Sequence, residues 1–125
     1  MASRGRVMIV DDDESIREVV DVFLTGEGFE VVTADNGAIA LEVARESHPD
    51  IILLDGFMPV MSGRDFLVAY KVLPEPRASV VLLTAASDST DSFDLIPADG
   101  YLAKPFSLQD LLEVVERRLG PALGD

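Results

Sequence analysis

Ile51-Ile52-Leu53-Leu54-Asp55-Gly56-Phe57-Met58-Pro59 is the stretch around which the chain is organised. Four consecutive large apolar residues leave no face for water, so the run predicts a strand covered on both sides, as in a parallel sheet with helices above and below. A carboxylate, Asp55, closes the run. Ligands of open α/β sheets sit just beyond the carboxyl ends of the strands, which would put Asp55 at the mouth of the sheet and not inside it. The competing reading is that Asp55 only begins the loop containing Gly56 and Pro59, since Asp is a common turn residue. The rest of the chain decides between them.

Upstream, Val7-Met8-Ile9-Val10 is a second apolar run, and it ends in Asp11-Asp12-Asp13-Glu14. Ile16, Val19, Val20, Phe23 and Leu24 then recur at helical spacing up to Gly26. Acids in the first turn, Asp13 and Glu14, suit the positive end of that helix. Asp11 and Asp12 precede the helix and fall at the strand tip, where this account does not reach. Phe29 to Thr33 predicts a strand, and Ala40, Leu41, Val43 and Ala44 a helix ending before His48-Pro49. His48 reads as an exposed helix-end residue.

Downstream, Arg64 to Leu73 predicts a helix with Phe66, Leu67, Tyr70 and Leu73 on one side, stopped by Pro74 and Pro76. Met58, Met61 and Phe66 read as core and loop packing. Val80-Val81-Leu82-Leu83-Thr84 repeats the apolar strand with a polar end. Between Ser87 and Pro97 the sequence is polar and cut by proline, so a helix there should be short or irregular. Tyr101-Leu102-Ala103 predicts a brief last strand leading into Lys104-Pro105. Ser107 and Asp110 have capping-box spacing, and Leu108, Leu111, Leu112, Val115 and Leu119 carry the final helical face.

Five strands alternating with five helices imply right-handed crossovers and an α/β, doubly wound (βα)5 fold with a parallel five-stranded sheet. In the flavodoxin-like order 2-1-3-4-5, strands 1 and 3 lie side by side at the switch point. Asp11, Asp12 and Asp55 would converge there, with Thr84 and Lys104 on the same rim. Carboxylates crowded in this way are normally held around a hard cation with oxygen ligands, Mg2+ above all. A hydroxyl and an ammonium beside them suit the remaining oxygens of a phosphoryl group. A nucleotide carrier of the same fold is disfavoured, because its phosphate loop would here begin with three aspartates.

The 125 residues make one domain, with a core at about 6–119 and residues 120–125 as a tail or truncated linker. There is no cysteine, which excludes disulfides and thiolate metal ligands. Twenty-three acidic against ten basic side chains give a net charge of −13, so no direct contact with nucleic acid and none with membrane is expected of this domain. The apolar run that follows Arg6 is too short for a signal peptide or a span, and the expected location is the cytoplasm.

Val10-Asp11-Asp12-Asp13-Glu14-Ser15-Ile16-Arg17, Leu54-Asp55 with Met58-Pro59-Val60-Met61-Ser62-Gly63, Leu83-Thr84-Ala85 and Tyr101-Leu102-Ala103-Lys104-Pro105-Phe106 together resemble the receiver domain of two-component response regulators. The resemblance covers nearly the whole chain, with the four motifs in order. It implies that Asp55 takes a phosphoryl group from a phosphohistidine of a sensor histidine kinase or histidine phosphotransfer protein. It further implies that Asp12 ligates Mg2+ directly and Asp11 largely through water, with the Phe57 backbone carbonyl completing the protein's share; Mn2+ would also serve. Lys104 would pair with the phosphoryl oxygens, Thr84 would move in to hydrogen-bond one of them, and Tyr101 would turn inward as the aromatic switch. Lys104-Pro105 would be a cis peptide. The output partner, a downstream protein or effector domain, is not specified.

Some positions depart from the family pattern. Gly56 replaces the apolar residue usual after the phosphoacceptor, and the stretch from Ser87 to Pro97 is polar where a regular helix is usual. Phe57 and Ala86 offer no polar group to orient a hydrolytic water, which predicts slow self-dephosphorylation. The expected function is a phosphorylation-activated switch and not an enzyme with turnover on an external substrate. The alternative is a phosphorylation-independent interaction module with a remodelled face. A Mg2+ phosphohydrolase would need a second acid where Phe57 stands.

Overall fold

The computed structural model describes residues 3–56, 61–73, 78–85 and 98–119. Along them run β1 (Arg6–Val10), α1 (Glu14–Gly26), β2 (Glu30–Ala34), α2 (Gly37–Ser47), β3 (Ile51–Asp55), α3 (Gly63–Lys71), β4 (Ser79–Ala85), β5 (Gly100–Lys104) and α4 (Leu108–Leu119). Every strand pairing is parallel, and the order across the sheet is β2-β1-β3-β4-β5. This is the doubly wound order expected from the apolar runs. The irregular helix expected between Ser87 and Pro97 lies outside the described residues, as do Pro74, Pro76 and residues 120–125.

The continuous apolar strands are explained by two cores, one on each face. Successive side chains of a strand point to opposite faces. Met8, Val10, Ile52, Leu54, Val80 and Leu82 therefore pack on one side, against Ala40 and Ala44 of α2 and Phe66, Leu67 and Tyr70 of α3. Val7, Ile9, Ile51, Leu53, Val81 and Leu83 pack on the other, against Val20 and Leu24 of α1 and Leu111, Leu112 and Val115 of α4. All five residues of β3 are buried. It is the central strand, and nothing polar can be placed along it before its tip.

Three local expectations are corrected. Asp13 does not sit in the first turn of α1 but caps it, its carboxylate accepting from Ser15 N at 2.9 Å and Ile16 N at 3.3 Å. Val19, assigned to the buried face of that helix, is 51% exposed, while Val20 and Leu24 are buried. The apolar stripe is wider than the sheet beneath it can cover. The second strand begins at Glu30 and not at Phe29, because the Phe29 amide donates to the Leu24 carbonyl in the turn that closes α1.

The other helix caps follow their sequences, and one helix, α3, ends early. Asn36, Ser62 and Ser107 accept from the amides of Ile39, Asp65 and Asp110. His48 ends α2 in the left-handed region at φ 50°, and its amide donates to Ala44 O. α3 stops at Lys71, short of the predicted Leu73. Its last amides tighten to i−3 partners, Val72 to Ala69 and Leu73 to Tyr70, ahead of Pro74, and the residue before a proline disfavours helix.

Candidate functional site

β1 and β3 are hydrogen-bonded neighbours with Val10 opposite Leu54, so Asp11 and Asp55, the next residue of each, emerge side by side at one end of the sheet. The Asp11 amide extends the β1–β2 pairing by one bond, donating to Ala34 O at 3.2 Å. Asp55 is the last residue of β3 and pairs with Leu83 of β4. Both positions are fixed by sheet hydrogen bonds and not by loops. Asp11 is wholly buried and Asp55 nearly so, whereas Asp12 is exposed.

One carboxylate oxygen from each of Asp11, Asp12 and Asp55 lies within 4.8 Å of the others. Oxygens on one Mg2+ ion stand at most roughly 4.2 Å apart, so mutual distances within 4.8 Å are compatible with the three acids framing such an ion. The donors are all carboxylate oxygens, which suits a hard cation and disfavours the softer metals that prefer imidazole or thiolate.

Lys104 reaches the same acids from the end of β5. Its Nζ donates to Asp11 Oδ2 at 3.1 Å and lies 3.5 Å from Asp55 Oδ1. Partial burial alone would push the ammonium pKa down, but the charges and hydrogen bonds of Asp11 and then Asp55 outweigh it, and the net shift is upward. Lys104 is therefore held protonated. The Lys104–Pro105 peptide is cis, as the resemblance implied. A single ammonium faces three carboxylates here, leaving an excess of negative charge where two of the acids are out of contact with water.

Thr84 is buried near the end of β4, opposite Ala103, on the same rim. Tyr101 lies on the exposed face of the edge strand, 52% exposed, with its hydroxyl accepting from the Ala98 amide at 3.3 Å. Its ring points outward in this arrangement. The carbonyl expected from Phe57 lies outside the described residues, as does Ala86.

Three features of the site escaped sequence reading. Arg17, one turn into α1, donates from Nη1 to the Asp11 carbonyl at 2.8 Å and ties the helix to the strand tip. Asp11 also accepts from the Asp13 amide through Oδ1 at 2.9 Å, so the acidic loop folds back on itself. An apolar groove of about 630 Å³, lined by Ile16, Val19, Pro105 and Phe106 among others, adjoins the Lys104 side chain. Its signal was the surplus of apolar residues on α1, taken for core.

Comparison with known proteins agrees with this geometry. The family model described as the response regulator receiver domain matches residues 7–116. The DNA-binding response regulator MtrA of Mycobacterium tuberculosis H37Rv is 37% identical over 118 residues, covering 93% of this chain and 51% of that protein. The probable transcriptional regulator ycf27 of Porphyra purpurea is 36% identical over 110 residues, covering 86% of this chain and 44% of that one. The chain thus spans about half the length of the curated relatives it matches. Among solved structures, a CheY-like receiver domain from Methanospirillum hungatei superposes with a TM-score of 0.82 at 31% identity, covering 94% of this chain and 95% of that one. The chemotaxis protein CheY4 of Vibrio cholerae does so with a TM-score of 0.75 at 33% identity, covering 94% and 99%. By sequence and by fold, this chain belongs to the response regulator receiver domain family.

Proposed function

We propose that the chain is a phosphorylation-activated switch that accepts a phosphoryl group onto Asp55 from a phosphohistidine, on a sensor histidine kinase or a histidine phosphotransfer protein. The observation that carries this reading is the meeting of Asp11, Asp12 and Asp55 within 4.8 Å, with Lys104 reaching both buried acids. A carboxylate oxygen of Asp55 attacks phosphorus, the P–N bond of the donor breaks, and its electron pair returns to the donor imidazole. An acyl phosphate is left on Asp55. Such transfers need positioning and charge neutralisation more than covalent help.

Asp12, Asp11, Asp55 and the Phe57 carbonyl are the groups that would hold Mg2+ or, in its place, Mn2+. When bound, the metal neutralises charge on the phosphoryl oxygens. Lys104 donates to another of those oxygens, and its raised pKa keeps it cationic for the task. The product adds roughly two negative charges to an already acidic crevice. Thr84 supplies a hydroxyl to the phosphoryl group, and Tyr101 leaves its outward position as β4's end moves. The output is a shift between two loop arrangements.

Response regulators are signalling proteins, and this one is read as assisting its own phosphotransfer and hydrolysis without turning over an external substrate. Among the described residues no helix is long and apolar enough to cross a membrane; the reading takes residues 1–125 as one receiver domain working in the cytoplasm. The DNA contact named for the mycobacterial relative would fall to the half of that relative which this chain does not span.

Incubation with phosphoramidate and Mg2+ should add one phosphoryl group by mass to the wild type and none to Asp55→Asn. Equal uptake by the variant would remove Asp55 from its role. With apolar residues at positions 57 and 86, where the resemblance implies side chains that tune hydrolysis, the phosphorylated form should decay slowly; a half-life of seconds in Mg2+ would count against that assignment.

A further inference from the structure

Two glycines outside the acidic cluster hold the segment that follows Asp55. Gly63, the first residue of α3, donates its amide to Gly56 O at 3.2 Å, which closes the β3–α3 connection at its base. A Cβ at Gly63 would land on the Asp55 carbonyl oxygen, 2.9 Å from Gly56 Cα and 3.2 Å from the Asp55 carbonyl carbon. All three are backbone atoms. None can swing aside as a side chain would.

Gly37, the first residue of α2, meets the returning limb of the same connection. Its amide donates to Met61 O at 3.3 Å, and a Cβ there would lie 2.9 Å from that oxygen and 2.8 Å from Met61 Cγ. The start of α2 and the tip of β3 thus grip Met61 to Gly63 from two sides.

We propose that Gly63 and Gly37 are positioning residues for Asp55. Their missing side chains let the return limb lie against the Asp55 carbonyl on one side and the start of α2 on the other, which fixes the Asp55 carboxylate relative to Asp11, Asp12 and Lys104. The proposal rests on the phosphoacceptor reading of Asp55. Neither neighbour of Gly63 yields cheaply. β3 is held by its pairing with β4 and by Gly56 N donating to Leu83 O at 3.3 Å. α3 is held by Phe66 and Leu67, both fully buried, with Tyr70 stacked on Phe66 at 5.3 Å. An added methyl at Gly63 must therefore either turn the tip of β3, which displaces Asp55, or open the Gly63–Gly56 bond, which removes the limb that backs the Asp55 carbonyl. At Gly37 part of the overlap is with a flexible methionine, so the same change there acts through Met61 and acts less.

The test compares wild type, Gly63→Ala and Gly37→Ala in Mg2+ binding by calorimetry, in phosphorylation by phosphoramidate, and in thermal unfolding. Gly63→Ala should raise the Mg2+ concentration for half-saturation about 10-fold, the scale on which groups supporting a metal site act. Phosphorylation at saturating Mg2+ should slow by a similar factor, because small misplacements of a reacting group are costly. Gly37→Ala should weaken Mg2+ binding roughly 3-fold, within the range of coupled residues that do not touch the ligand. A folded Gly63→Ala with wild-type Mg2+ affinity and rate would overturn the proposal. If Gly63→Ala does not fold, Gly37→Ala decides by the same criterion. If neither folds, Mg2+ added to the wild type should move the Gly37 amide resonance more than that of Gly26, which has open space around it; equal movement overturns the proposal. Asp55→Asn separates the two readings. A wild type that takes up no phosphoryl group defeats the phosphoacceptor reading, whereas a competent wild type matched by Gly63→Ala defeats only this one.

Discussion

At the amino ends of the strands, Arg4 pairs with Glu116 at 2.6 Å and Arg6 with Glu30 at 2.7 Å, while at the carboxyl ends three aspartates gather and two of them, Asp11 and Asp55, reach Lys104. Partners at the amino end are opposite in sign. Arg6 and Glu30 are both more than a third exposed, and Arg4 adds packing over the Phe29 ring at 4.5 Å. Such contacts set each arginine against acids and tie the chain together. The carboxyl end gathers like charges, two of them buried, with Lys104 paired to both buried acids. An arrangement that repels itself is retained where a cation and an anionic group are to be bound. The difference separates the end of the sheet that holds the fold from the end proposed to do chemistry.

The contrast can be broken most forcefully at Lys104. Lys104→Ala should slow phosphorylation of Asp55 roughly 100-fold, the scale of losing one preorganised donor to a developing charge, when measured by mass shift with phosphoramidate. Asp12→Asn comes next. It should weaken Mg2+ binding about 10-fold in calorimetry. By removing one of three like charges it should also stabilise the metal-free protein, by roughly 0.5–1 kcal/mol in denaturant unfolding. A loss of stability in that variant would mean the acids are not in conflict.

Alkaline titration sharpens the comparison further. The Lys104 pKa is higher folded than unfolded, so its ion pairs contribute fully below the ordinary lysine value and fade as pH rises through the folded one. The stability difference between wild type and Lys104→Met should stay constant to about pH 10.4 and narrow above it. The smallest effect belongs to the amino end. Glu30→Ala should cost about 0.5 kcal/mol or less, shrink further in high salt, and leave phosphorylation unchanged.

Much of this was legible in the sequence, for physical reasons that differ by element. Ile51–Leu54, Val7–Val10 and Val80–Leu83 could only be strands buried on both faces, and the acids at two of their ends marked the rim. Strand order brought Asp11 beside Asp55; alternation of βα units limits that order but does not by itself choose it. Lys104 was readable by its place after the last strand, although its reach to both acids depends on the pairing of β5 with β4. Val19 was misassigned because a helical stripe tells which residues are apolar, not how much of it the sheet covers. Asp13 was misplaced by one residue because a cap and a first-turn acid are alike in sequence. Nothing in the sequence sets Gly37 and Gly63 apart from ordinary turn glycines, since the close approach that requires them involves backbone brought together only by the fold.

The account stands on the tips of β1 and β3 forming one cation site. Titration of Mg2+ against the side-chain carboxyl carbon resonances of Asp11, Asp12 and Asp55 tests this most directly. All three signals should move together along one binding curve, and Asp55 should move no later than the others. An Asp55 signal that stays fixed while Mg2+ saturates the protein would contradict it.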